Sequence, residues 1–105
     1  MHSHIDWAQV PSHVCESWRT IDELIEKFNL MTQSLFGSSL VFVMWNDSSS
    51  PAIELSLGDV RRISREIFQV FESSIDCWIA SERQGWFCEI YHEGTLCMGR
   101  ESLKI

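Results

Sequence analysis

The sequence predicts an α+β protein: a two-layer sandwich with a mainly antiparallel five-strand sheet and two helices on one face, in the order α-β-β-α-β-β-β. Three observations point there. Two stretches repeat apolar residues at helical spacing, from Ile21 to Leu35 and from Val60 to Phe71. Five others are continuously apolar or alternate with a period of two. The connections between them are short and rich in Gly, Ser and Asp, so neighbouring strands pair in sequence and helices collect in one layer. With 105 residues, the chain fits a single domain spanning residues 1–105, in which residues 1–11 are expected to be loosely ordered.

Pro11 precedes a short helical turn expected around Ser12 to Trp18. Thr20-Ile21-Asp22-Glu23 reads as a capping box: the Thr20 hydroxyl accepts from the third helical amide, and Glu23 reaches back. The helix then runs from about residue 21 to residue 36, with Asp22 and Glu23 at the positive end of its dipole and Gly37 as its stop. Leu40 to Trp45 (LVFVMW) suits a central strand buried on both faces. After the turn residues 46–51, Ala52 to Leu57 alternates and forms a hairpin with the strand before it. Gly58-Asp59 opens the second helix, with Asp59 near its N-cap and Ser73-Ser74 ending it. Three strands follow: Ile75 to Glu82, Trp86 to His92 and Thr95 to Arg100. Gln84-Gly85 and Glu93-Gly94 supply their turns.

Composition excludes several classes. Hydrophobic residues make up 45% of the chain and charged residues 22%, the balance of an ordinary globular domain rather than of a disordered chain. No apolar run reaches the roughly 18–20 residues that span a bilayer. The first ten residues hold neither Lys nor Arg nor a long apolar stretch, so no secretory leader is expected. The net charge is −7, and residues 1–57 carry seven acids against two bases. Such an excess argues against nucleic acid and against anionic membranes as partners. It favours a basic partner, or simply solubility. The four cysteines, Cys15, Cys77, Cys88 and Cys97, match no zinc spacing. They read as reduced thiols packed in or near the core of a cytoplasmic protein.

Five tryptophans, Trp7, Trp18, Trp45, Trp78 and Trp86, carry more information. Tryptophan is enriched where protein surfaces meet. With a period of two, Cys77, Ile79, Trp86, Cys88 and Ile90 face the core. The opposite face gathers Trp78, Phe87 and Tyr91 with Asp76, Glu82 and Glu89. Two helices cover only one side of a sheet, so this face is expected to be a bare aromatic patch rimmed by carboxylates. The alternative is an ordinary wet sheet face with stabilising cross-strand pairs.

Candidate chemistry is sparse. His2 and His4 form an H-x-H near the start, and His92 sits beside Glu93 as a solvated turn residue; no metal site and no cofactor is expected. Cys88 or Cys97 with His92 is the one nucleophile pair the chain offers, but its acidic surroundings disfavour a thiolate. Arg61, Arg62 and Arg65 read as partners for nearby acids. No phosphate-binding or hydrolase motif is present.

In its acidity, its α+β layout, the set Trp78, Glu82, Phe87, Glu89 and Tyr91, and its lack of catalytic constellations, the chain resembles the immunity proteins of bacterial toxin–immunity pairs, including those of contact-dependent inhibition. The resemblance implies a cytoplasmic, non-enzymatic protein that binds and neutralises a basic toxin domain. Asp22, Glu23, Glu26, Glu82 and Glu89 would pair with its cations, and Trp78, Phe87 and Tyr91 would be the anchors. Two other readings stay open. The chain is similar in size and charge to type III secretion chaperones, or another homodimeric adaptor, and it offers the elements of a small Cys/His enzyme.

Overall fold

The computed structural model describes residues 7–10, 12–45, 52–69 and 76–100. After a 3-10 turn at Trp7–Gln9 come β1 (Ser12–Ser17), α1 (Ile21–Thr32), β2 (Leu40–Trp45) and β3 (Ile53–Ser56). They are followed by α2 (Leu57–Arg62), α3 (Ser64–Phe68), β4 (Cys77–Ser81), β5 (Trp86–Tyr91) and β6 (Thr95–Arg100). The strands form one sheet in the order β1-β6-β5-β4-β2-β3, with every neighbouring pair antiparallel. The class and the antiparallel sheet match the expectation. The sheet has six strands rather than five, and the described residues hold three α-helices rather than two.

The extra strand is the segment expected to be a helical turn. β1 lies at the edge of the sheet with all six residues exposed, so no buried face leaves a period in its sequence. It pairs with β6 in a register that puts Cys15 opposite Cys97, 4.0 Å apart at Cα, and the two sulfurs are bonded. This corrects the expectation of four reduced thiols: only Cys77 and Cys88 are free, and both are buried. The two bonded positions are 82 residues apart, and nothing local announces the pairing while Cys15 is read as helical.

α1 begins as expected, with Thr20 Oγ1 accepting from Glu23 N at 3.1 Å. The Glu23 carboxylate accepts from Arg19 N at 2.8 Å, one residue before the expected donor. The helix ends at Thr32 rather than near residue 36. Thr32 Oγ1 donates to Phe28 O (2.9 Å), and the Arg61 guanidinium donates to Thr32 O and Leu35 O, satisfying carbonyls that a helix end leaves free. Gly37 serves a close approach instead of a stop. Gly58 N donates to Gly37 O at 2.7 Å, and a Cβ on Gly58 would lie 3.2 Å from that oxygen.

The second helical stretch is broken. Ser56, not Asp59, is its N-cap, accepting from Asp59 N at 3.1 Å. The ladder stops at Ile63 (φ −110°, ψ 24°), next to Ser64, whose hydroxyl bonds Arg61 O at 3.1 Å. Serine offers the backbone this alternative to continuing a helix. The expected Ser73-Ser74 stop and the expected strand start at Ile75 lie outside the described residues.

The core sits between the helices and one face of the sheet. Leu24, Phe28, Val60 and Phe68 meet Val41, Val43, Ile79, Cys88 and Ile90, all buried. The Phe28 and Phe68 rings cross edge to face at 5.5 Å. Gly94 turns the β5–β6 hairpin at φ +108°, where a Cβ would sit 2.8 Å from Trp18 O. Trp18 N donates to Gly94 O at 2.9 Å, which seats the Trp18 ring in the core.

Candidate protein-binding surface

The face of the sheet away from the helices is built of side-chain rows in register. Met44, Trp78, Glu89, Cys97 and Cys15 lie in register across five strands. Phe42, Ala80, Phe87, Gly99 and His13 form the next row on the same face. Tyr91 follows two residues beyond Glu89, opposite Thr95. The alternation read from the sequence therefore brings Trp78, Phe87, Glu89 and Tyr91 onto one face.

Their exposure differs from the expectation. Trp78, Phe87 and Tyr91 are half-buried rather than bare, and Glu89 is only 1% exposed. The reason for Glu89 is local: it stands opposite Trp78, whose indole N–H donates to Glu89 Oε2 at 2.8 Å. A buried carboxylate needs such donors, so Glu89 is an internal acceptor that fixes the Trp78 ring and not a rim acid. Burial raises the pKa of the Tyr91 phenol, and the negative charges of Glu89, Asp76 and Glu93 push it the same way. Of the expected acids on this side, Glu82 is exposed.

His92 is also corrected. It is half-buried, and both its backbone N–H and its Nδ1 lie within hydrogen-bond distance of Asp76 Oδ1, at 2.9 and 2.7 Å. Asp76 itself is fully buried. This pairing closes the end of the β5 hairpin against the start of β4.

The acids of α1 lie elsewhere. The helix packs on the core face, so Asp22, Glu23 and Glu26 stand on the opposite side of the sheet from Trp78 and Phe87. Asp22 pairs with Arg65, Glu23 is held at the helix cap, and Glu26 is exposed. Arg62 pairs with Asp59 at 3.3 Å. Arg62 and Arg65 thus pair with acids as expected, whereas Arg61 is engaged by the carbonyls of Thr32 and Leu35 instead.

The exposed apolar residues on the sheet face are ones the sequence reading placed in the interior. β2 is not buried on both faces: Val41 and Val43 are sealed, while Leu40 is 55% exposed and Phe42 36%. Phe36, between α1 and β2, is 75% exposed. A six-residue apolar run hides this alternation, because both faces of the strand carry large side chains. Leu40, Phe42, Ala80 and Phe87 form a strip across β2, β4 and β5, with exposed Glu54 opposite Phe42 on β3. Isolated apolar residues on a surface are ordinary, whereas a contiguous strip with acids at its margin has the composition of a binding surface.

The thiols that a Cys/His enzyme would use are engaged otherwise. Cys97 is bonded to Cys15, and Cys88 points into the core, where burial and then the nearby Glu89 raise its pKa. Among the described residues no group of three or more His, Cys, Asp or Glu is placed to hold a metal ion. No helix of the described residues is long and apolar enough to cross a membrane.

Residues 1–99 match the family described as CdiI immunity protein EcoliA0-like. No curated protein and no solved structure matches the chain. The match covers β1 through nearly all of β6, the whole sheet and its helix layer. The chain therefore belongs to the CdiI immunity protein family, EcoliA0-like, and is a toxin-immunity protein of the contact-dependent inhibition type.

Proposed function

We propose that this protein neutralises a cognate toxin domain in the cytoplasm by binding it, without catalysis of its own, through the outer face of the sheet. The observation that carries this reading is the apolar strip Leu40–Phe42–Ala80–Phe87, bare at its β2 end, on a chain of an immunity family. Trp78 is held in one orientation by Glu89, so it joins the contact with little ordering left to do. The exposed Glu54 and Glu82 and the net charge of −7 favour a basic surface on the toxin. In this reading Asp22, Glu23 and Glu26 act through the long-range field and not by contact, because they stand behind the sheet.

The test is titration calorimetry against the cognate toxin domain. Phe42→Ala is expected to weaken binding by more than tenfold, and Glu82→Lys to weaken it and flatten its salt dependence. Unchanged affinity in both variants would overturn the outer-face reading. Light scattering separates the rival use of the same strip. A dimer that Phe42→Glu dissociates would make the face a self-interface, and a monomer leaves it open to the toxin.

A further inference from the structure

We infer that the pocket at the end of the sheet, where residues 36–40 meet the β4–β5 turn, is a specificity subsite. It would take an acidic side chain of the toxin together with an apolar neighbour. The inference rests on the outer-face reading above and names the chemistry of one end of that footprint.

Phe36 (75% exposed) and Leu40 (55%) line the pocket as bare apolar side chains, and Leu40 continues directly into the strip at Phe42. Arg83 stands in the wall of the pocket, is exposed, and makes no ion pair among the described residues. Arg61, Arg62 and Arg65, by contrast, are all engaged inside the molecule. Ser81 lines the pocket and its hydroxyl accepts from Gln84 N at 3.3 Å, which holds the turn that carries Arg83. Ser39 also lines it, at 9% exposure, and its Oγ has no hydrogen-bond partner. An unpaired buried hydroxyl gains from any group that reaches it.

The pocket measures about 290 Å³, at the foot of the range of about 300–1,000 Å³ for small-molecule sites. With two bare apolar side chains at its mouth, it suits one or two protein side chains better than a cofactor. The charge pattern selects the occupant. A guanidinium without an acid matches a carboxylate, which it binds with two parallel hydrogen bonds. The molecule as a whole attracts a basic domain, while this one point demands an acid. A toxin of the right overall charge that carries Lys or Arg here meets Arg83 and is rejected, and such repulsion is how related pairs are kept apart.

The experiment measures the dissociation constant of the cognate toxin domain for wild type, Arg83→Glu, Arg83→Gln, Phe36→Ala and Phe42→Ala, each checked for folding by urea denaturation. Arg83→Glu is expected to weaken binding about 100-fold, and Arg83→Gln and Phe36→Ala about tenfold. Reversing the toxin's acids to Lys one at a time is expected to yield one variant that restores binding to Arg83→Glu and loses it to wild type. If the Arg83 and Phe36 variants bind within twofold of wild type while Phe42→Ala is weakened, the subsite is wrong and the outer face stands. If Phe42→Ala also binds as wild type does, or wild type does not bind, the outer-face reading falls and the subsite with it. If Arg83→Glu is misfolded, Arg83→Gln and the toxin reversals decide.

Discussion

Glu82 and Glu89 look alike in the sequence, two acids among aromatic residues, yet only Glu82 belongs to the surface. Glu89 is buried and accepts the Trp78 indole N–H. Glu89→Lys is expected to destabilise the protein by roughly 3–5 kcal/mol, because it buries a charge with no partner in place of a bonded one. Glu82→Lys is expected to stay within about 0.5 kcal/mol of wild type. Urea midpoints read both, and equal stability of the two variants would remove the internal role given to Glu89. The free thiols make a second point at this scale. Burial raises the pKa of Cys77 and Cys88, and Tyr91 is raised as well. The folded state then keeps protons that the unfolded chain gives up from about pH 9 upward, near the ordinary thiol value. Stability from these groups is fully present below that pH and falls as pH rises. Denaturation from pH 7 to 11 is expected to show this decline, and Cys88→Ala to soften it; a flat profile would contradict it.

At the scale of elements, legibility tracked burial. β4 and β5 were readable because Cys77, Ile79, Trp86, Cys88 and Ile90 seal one face, so the period of two survives in the residues; β6, buried on both faces from Leu96 to Gly99, was readable from the Glu93-Gly94 turn before it. α1 was readable from its cap and stripe, but its end was not. The carbonyls at that end are satisfied by Arg61, 29 positions beyond Thr32, which no local signal carries. β1 left no pattern at all, being exposed throughout. It is held by its ladder to β6 and by the Cys15–Cys97 bond. A bridge closing a ring of this length stabilises by about 4–5 kcal/mol in the chain-entropy model, and a reducing compartment removes that contribution. Thiol titration in denaturant is expected to find two thiols before reduction and four after. Reduction is expected to lower the melting temperature and to speed amide exchange in β1 before the rest of the sheet. Four thiols without reductant, or a melting temperature indifferent to reduction, would show that the edge strand does not depend on the bond.

The whole molecule separates what the sequence runs together. The sequence shows acids and aromatics in one chain, and only the layered packing reveals that α1 places Asp22, Glu23 and Glu26 behind the sheet that carries Phe42, Trp78 and Phe87. A rigid partner on the outer face cannot touch both. The two sets should therefore divide the kinetics of binding. Charges away from the contact act through a field that salt screens over about 8 Å at physiological ionic strength, and they set how often encounters succeed. Rings inside the contact set how long the complex lasts. In stopped-flow or surface-binding measurements with the toxin domain, Asp22→Lys combined with Glu26→Lys is expected to slow association a few-fold at low salt, to lose that effect near 0.5 M salt, and to leave dissociation unchanged. Phe42→Ala is expected to do the reverse, speeding dissociation about tenfold or more with little change in association. If the helix acids control dissociation and Phe42 does not, the toxin docks on the helix layer, and the sheet face is only the back of the molecule.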